Sequence, residues 1–276
     1  LYKGSNLMKD KRILYVSSEF VPYLRETEIA STAFNLAKKA HSKGVQTRIF
    51  MPRFGVINER RHQLHEVIRL SGMNLIINDM DMPLIIKVAS IPKERMQVYF
   101  IDNDEYFKRK AIFSDEDDQL FSDNDERAIF FAKGVVETVK KLNWAPDIIH
   151  VHGWMASLLP LYIKEYYSDE PLFSESKIVT SVYDKDFEGS LNGGLAEKIK
   201  FDKISDDKIS ILQEPNYTNI IKSAVSNSDA IVQGSSEIPE EIAEEIRNRE
   251  VPALSFQEED SFESYLNFYK ELISEE

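Results

Sequence analysis

Three stretches of this chain place titratable and aromatic residues just after an apolar run, where an α/β sheet offers side chains to a ligand. Ser17-Ser18-Glu19 follows Leu14-Tyr15-Val16 and leads through Pro22-Tyr23 to Arg25-Glu26-Thr27-Glu28. His150-Val151-His152-Gly153-Trp154 follows Pro146-Asp147-Ile148-Ile149, and Tyr183-Asp184 follows Lys177–Val182. On a strand, His150 and His152 share one face, which is how a metal pair would be presented. No third ligand lies nearby, so two satisfied core histidines are the simpler reading and no metal site is expected. Ser17-Ser18 lacks the Gly-x-Ser-x-Gly elbow of a hydrolase, and Gly193-Gly194 lacks the Lys and Ser/Thr of a phosphate loop. The carboxylate runs Glu116-Asp117-Asp118 and Glu258-Glu259-Asp260 sit in polar surroundings and read as solvated faces, not acid–base pairs. No residue pattern calls for a cofactor.

These residues need elements to hold them. Arg12–Ser17 reads as a strand, a helix follows from Thr27 to Ser42 with Ile29, Ala33, Leu36, Ala37 and Ala40 at helical spacing, Gly44 stops it, and Val45–Met51 is the next strand. Residues 64–102 carry short strand signals at His65–Leu70, Met73–Ile77, Leu84–Ala89 and Gln97–Ile101, separated by turn residues, which predicts a β-rich insertion. Beyond it the pattern alternates: helix Arg127–Lys141, strand Asp147–Val151, helix Ala156–Tyr166, strand Lys177–Val182. Residues 184–214 are polar and glycine-bearing and read as a flexible loop. Helix Asn219–Ser226, strand Ala230–Gln233, an acidic helix Ser236–Arg249 and an amphipathic helix Asp260–Ile273 complete the chain. The expected fold is α/β: a Rossmann-like, doubly wound, mostly parallel sheet with a β-rich insertion and a carboxyl-terminal docking helix.

Composition narrows the function classes. The chain has 276 residues, 42% of them hydrophobic, a formal charge of −13 and no cysteine. Disulfides, thiol catalysis and zinc–thiolate sites are excluded. The charge makes nucleic acid and anionic membranes poor partners, and no apolar run is long enough for membrane insertion. Leu1-Tyr2-Lys3-Gly4-Ser5-Asn6-Leu7 reads as a tag and linker remnant, with Met8 the natural start. No cleavable signal pattern follows Met8, which points to a cytoplasmic protein. The domain reading is a remnant at 1–7, one domain at 8–250, and a carboxyl-terminal helix at 251–276 packing back on it.

The motifs together resemble the amino-terminal domain of bacterial glycogen and starch synthases of the ADP-glucose type. Those enzymes begin with a strand, Ser-Glu, a Pro-aromatic pair and Lys-x-Gly-Gly; here stand Ser18-Glu19, Pro22-Tyr23 and Arg25-Glu26-Thr27-Glu28. Met51-Pro52-Arg53-Phe54-Gly55, Asp102 with Tyr106-Phe107 and Arg109, Asp123-Asn124 with Glu126-Arg127, and Pro146 through Trp154 are similar to further family motifs in the same order. The resemblance implies one half of a two-domain GT-B glycosyltransferase, with the final helix corresponding to the one that ends such proteins on the first domain. It also implies site positions: Tyr183, Gly153 and His152 at the reacting centre, and Arg25, Thr27, Glu28, Trp154 and Asp184 around the substrate.

At those positions the chain departs from the family. Thr27 and Glu28 stand where two glycines let backbone N–H groups approach a diphosphate, Gly153 where an aspartate holds sugar, and Tyr183-Asp184 where a His-Asn pair meets donor glucose. Read without the family, Thr27 and Glu28 are an N-cap and a first-turn carboxylate. The expected function is therefore an inactive synthase-like domain serving as a protein-interaction or structural subunit. Its protein partner is expected on the strand-end face at residues 18–28, 152–158 and 183–195, which suits a basic surface. Two alternatives are an ADP-glucose-dependent glucosyltransferase with its donor domain supplied in trans, and an α-glucan-binding module stacking sugar on Tyr23, Trp154, Tyr183 and Phe187.

Overall fold

The computed structural model describes residues 8–258 and 261–274. Residues 1–7, and with them the tag-and-linker reading, lie outside the described residues, as do Glu259 and Asp260.

Eleven strands are formed: β1 (Arg12–Ser17), β2 (Gln46–Pro52), β3 (His65–Glu66), β4 (Asn74–Ile77), β5 (Met80–Pro83), β6 (Ile85–Ser90), β7 (Gln97–Asp102), β8 (Ile148–His152), β9 (Lys177–Val182), β10 (Ala230–Gln233) and β11 (Ala253–Leu254). Nine of them make one sheet in the order β11-β10-β9-β8-β1-β2-β7-β6-β3, and β4 and β5 form a separate hairpin. From β11 to β7 every neighbouring pair is parallel; β6 runs antiparallel to both β7 and β3. β1 starts the winding. β2 and β7 extend from it in one direction and β8 to β11 in the other, so the strand order reverses between β1 and β8. Their register pairs Ser17 with His152, which brings the two polar loops together at the switch point.

Strand residues are buried on both sides of the sheet, as parallel strands covered by crossover helices must be. The helix Glu28–Ser42 is set by its sequence: Thr27 caps it, Glu28 complements the positive end, Lys39 and His41 the negative end, and Ile29, Ala33, Leu36, Ala37 and Ala40 face the core. The final helix, Phe262–Ser274, packs beside it and buries Tyr265, Leu266, Phe268, Tyr269 and Leu272.

Several local expectations are corrected. The helix Asn124–Leu142 starts three residues before Arg127, because its polar first turn is satisfied inside the protein. Asn124 Nδ2 donates to the Phe113 carbonyl at 2.8 Å, and Arg127 Nη1 donates to Asn124 Oδ1 at 2.7 Å and to the Ile112 carbonyl at 2.8 Å. Ala156–Tyr166 is not one helix. A 3-10 turn (Trp154–Ala156), a single α-turn (Leu159–Leu161) and a π-turn (Tyr162–Tyr166) follow one another, since Pro160 has no N–H to continue the ladder. His65–Leu70 keeps only two strand residues and then turns, and β5 forms at Met80–Pro83, between the expected strands Met73–Ile77 and Leu84–Ala89, by pairing with β4. The acidic helix begins at Glu240, after Pro239, and not at Ser236.

The largest correction concerns residues 184–214. In place of a loop, the segment carries helices Leu195–Lys200 and Asp206–Ile209 and a 3-10 turn Ser210–Gln213. Leu191, Leu195, Ile199, Ile204, Ile209 and Leu212 are all buried. Asp202 anchors the segment: its carboxylate accepts from buried Lys133 Nζ at 2.6 Å and from the Tyr162 hydroxyl at 2.6 Å, and Lys133 also donates to the Ile76 carbonyl at 2.7 Å.

Candidate functional site

A cleft of about 910 Å³ opens over the carboxyl ends of β1 and β9. Its lining includes Glu19, Tyr23, Arg25, Thr27 and Glu28 from the loop after β1, Ile112 to Ser114 from the 111–120 segment, and Tyr183 to Glu188 from the loop after β9. Six carboxylates (Glu19, Glu28, Asp118, Asp184, Asp186, Glu188) face two cations, Arg25 and Lys185. Lys185 is already held by Glu188 at 2.7 Å. The field in the cleft is therefore negative and disfavours a phosphate.

Glu19 is the most perturbed of these groups. It is 6% exposed, and burial pushes its carboxyl up to about 7, with the Asp186 charge adding to the rise and Arg25 and Thr27 opposing it. Burial also raises Asp186 above the usual carboxylate range.

The loop after β1 spends its polar groups on its own helix. Thr27 Oγ1 accepts from the Ala30 N–H at 3.1 Å, and Ser31 Oγ donates to Glu26 Oε1 at 3.1 Å. Glu28 Oε2 accepts from Ser235 Oγ at 2.6 Å, and Ser235 Oγ in turn accepts from the Asp184 N–H at 3.0 Å. A carboxylate, a serine after β10 and the backbone after β9 are thus linked across the start of the helix. Sequence reading missed Ser235; its one signal was a position directly past the carboxyl end of β10.

Gly153 adopts φ +85°, ψ 157°, a backbone region open essentially to glycine. A Cβ there would lie 2.5 Å from Ser18 Oγ and 2.7 Å from Ser18 Cβ. Any side chain at 153 is therefore blocked twice, by conformation and by contact. Trp154, 1% exposed, is wedged between Phe113 and Phe187 at ring separations of 4.8 and 5.1 Å, so it presents no stacking face to solvent. Tyr23, Tyr183 and Phe187 are also buried.

Beneath the cleft lies a layer of histidines and tyrosines. His152 Nδ1 shares a hydrogen bond of 2.7 Å with the Tyr183 hydroxyl. His150 Nε2 bonds Ser181 Oγ at 2.7 Å, and its Nδ1 bonds the hydroxyl of Tyr269 from the final helix. The two imidazoles are 4.0 Å apart, with both nitrogens of His150 already occupied. Burial pushes His152 down to about 3; burial and the neighbouring His152 push His150 well below the usual range. Both are neutral. Tyr183 is raised well above its ordinary value, chiefly by burial, and its ring fills the space over Gly234, where a Cβ would come within 2.7 Å.

The structure thus brings Arg25, Thr27, Glu28 and Asp184 to the cleft, with Tyr183 as part of its wall, and puts His152, Gly153 and Trp154 under it. Among the described residues no group of three or more His, Cys, Asp or Glu side chains could hold a metal ion, and no helix is long and apolar enough to cross a membrane.

A mostly parallel sheet with a polar cleft near its switch point defines a Rossmann-like α/β domain. The chain belongs to the starch synthase catalytic domain family, whose model matches residues 12–253. It is 33% identical over 253 residues to a glycogen synthase of Chlorobium luteolum, covering 91% of this chain and 50% of that protein. It is 37% identical over 180 residues to a glycogen synthase of Chlorobium chlorochromatii, covering 63% and 36%. The chain thus spans about half the length of the first of these relatives, and a smaller share of the second. In fold it is similar to the catalytic domain of starch synthase IV from Arabidopsis thaliana, solved with ADP and acarbose, at a TM-score of 0.66 and 15% identity over 81% of this chain and 45% of that one.

Proposed function

We propose that this glycogen/starch synthase-like domain does not transfer glucose and serves as a protein-interaction or structural subunit, with a basic surface of its partner seated in the strand-end cleft. The observation that carries the reading is the Glu28–Ser235–Asp184 link. Transfer from a nucleotide sugar leans on positive groups and backbone donors to stabilise the departing diphosphate. Here the helix start is capped by its own side chains and faced by carboxylates, and Arg25, whose charge acts on Glu19, is the one cation of the cleft lining with no ion pair among the described residues. A cationic protein surface fits that field better than a phosphate does.

Three measurements test the proposal. Purified protein is expected to transfer no glucose from ADP-glucose to glycogen; turnover at a rate ordinary for the family refutes it. Charge reversal at Glu26 and Glu28 is expected to weaken capture of the partner, and unchanged capture counts against the cleft as the contact. Calorimetry with maltooligosaccharides is expected to be flat at millimolar ligand.

A further inference from the structure

A second concavity, of about 740 Å³, runs along β5 on the hairpin β4–β5. Its floor is apolar: Met80, Met82, Ile85 and Tyr106 line it, and Met80 is 44% exposed. Its rim is acidic. Asp123 and Glu126 are neutralised by Arg109 at 2.8 Å and Lys198 at 3.0 Å. Asp81, Asp104 and Glu105 are exposed and form no ion pair among the described residues. Asp104 and Glu105 also complement the first turn of the four-residue helix Asp104–Phe107, which accounts for part of their placement. That account does not extend to Asp81 or to the exposed methionine.

We infer that this groove docks a basic amphipathic helix of a protein partner, its apolar face on the methionine floor and its lysines or arginines on Asp81, Asp104 and Glu105. Three features select that occupant. Met side chains repack around varied apolar surfaces, which suits a groove that receives a helix face. The unneutralised charge on the rim is all negative. Strand addition is disfavoured, because Pro83 has no N–H and its carbonyl already accepts from Asn103 Nδ2 at 2.9 Å, while Asp81 puts a charge on the same edge. The groove and the strand-end cleft are lined by different residues, so this inference stands apart from the proposed function.

The test uses a fluorescein-labelled Leu/Lys peptide with leucines on one helical face and lysines on the other, followed by anisotropy. The triple variant Asp81→Lys/Asp104→Lys/Glu105→Lys and the single variant Met80→Asp are each expected to weaken binding by about tenfold or more. The triple variant Glu175→Lys/Glu244→Lys/Glu250→Lys, at exposed carboxylates outside the groove, matches that change of charge and is expected to leave binding unchanged. On the unsubstituted protein, methyl resonances of Met80 and Met82 are expected to shift on titration while that of buried Met155 does not. Equal binding of a scrambled peptide of the same composition overturns the inference, as does indifference to the groove variants. If Glu28→Lys weakens binding and the groove variants do not, the peptide sits in the cleft; the groove is then refuted and the cleft reading gains support.

Discussion

Stability should depend on pH in a way that Glu19 and the buried histidines set against each other. In the folded chain His152 titrates near 3 instead of 6.5, and His150 well below 6.5. The unfolded chain therefore binds a proton at each histidine as pH falls below 6.5, and the folded chain does not. Each contributes stability that is present above pH 6.5 and lost by about 1.4 kcal/mol per pH unit below it. Glu19 acts in the opposite sense. Its folded value near 7 lies above the ordinary 4.5, so its contribution is complete below pH 4.5 and declines by a similar slope up to pH 7. Between pH 4.5 and 6.5 it cancels one histidine, and the raised values of Asp125 and Asp186 flatten the profile further.

Glu19→Gln removes the cancellation. Across pH 6.5 to 4.5 the variant should lose about 2 kcal/mol more than the unsubstituted chain does. His152→Asn should lose less over the same interval, by a similar amount, even though it is less stable at pH 7. The assay is urea unfolding followed by fluorescence of the buried residues Trp144 and Trp154, at half-unit steps of pH. Profiles that run parallel for all three proteins would refute the reasoning, because the buried titrations would then not be coupled to folding.

Gly153→Asp, which puts the family's residue back, should destabilise the chain by about 2–4 kcal/mol through positive φ and the Ser18 contact, and should restore no transfer; chemical denaturation and a radiolabelled-glucose assay read the two halves. Lys133→Met should cost about 3–5 kcal/mol by leaving the Asp202 carboxylate buried without its cation, and adding Asp202→Leu should recover much of that, as seen in melting temperature. Tyr269→Phe should cost about 1–3 kcal/mol by orphaning His150 Nδ1, with amide exchange rising first in the helix Phe262–Ser274.

The spans of most strands and of the first crossover helix were legible because periodicity carries them: Ile29, Ala33, Leu36 and Ala40 mark one face of that helix with no help from the rest of the fold. Segment 184–214 was not legible, and the reason is physical. Its apolar residues are spread thinly among lysines and aspartates, and its order depends on Lys133, Asp202 and Tyr162, which lie far apart in sequence and meet only after folding. Site residues divide in the same way. Thr27 as an N-cap could be read locally, from a threonine before an apolar-periodic run. Ser235 could not, because a serine past a strand is ordinary until Glu28 and the Asp184 N–H converge on it. The burial of Trp154 likewise needed Phe113 and Phe187 from distant segments.

Three of the candidate site positions are each matched to a residue of another segment. Gly153 is matched to Ser18, whose side chain occupies the space a Cβ would take. Tyr183 is matched to His152 through its hydroxyl and to Gly234 through its ring. Glu28 is matched to Ser235, which also fixes the backbone of Asp184. Each of these contacts joins segments distant in sequence, so a change at one of the positions is expected to leave its neighbour strained or unsatisfied. The Glu28–Ser235–Asp184 link joins the segments after β1, β10 and β9, and the His152–Tyr183 bond joins β8 to the residue after β9. Under the proposed interaction role, these links would present the strand-end face to a partner as one surface of fixed shape and charge.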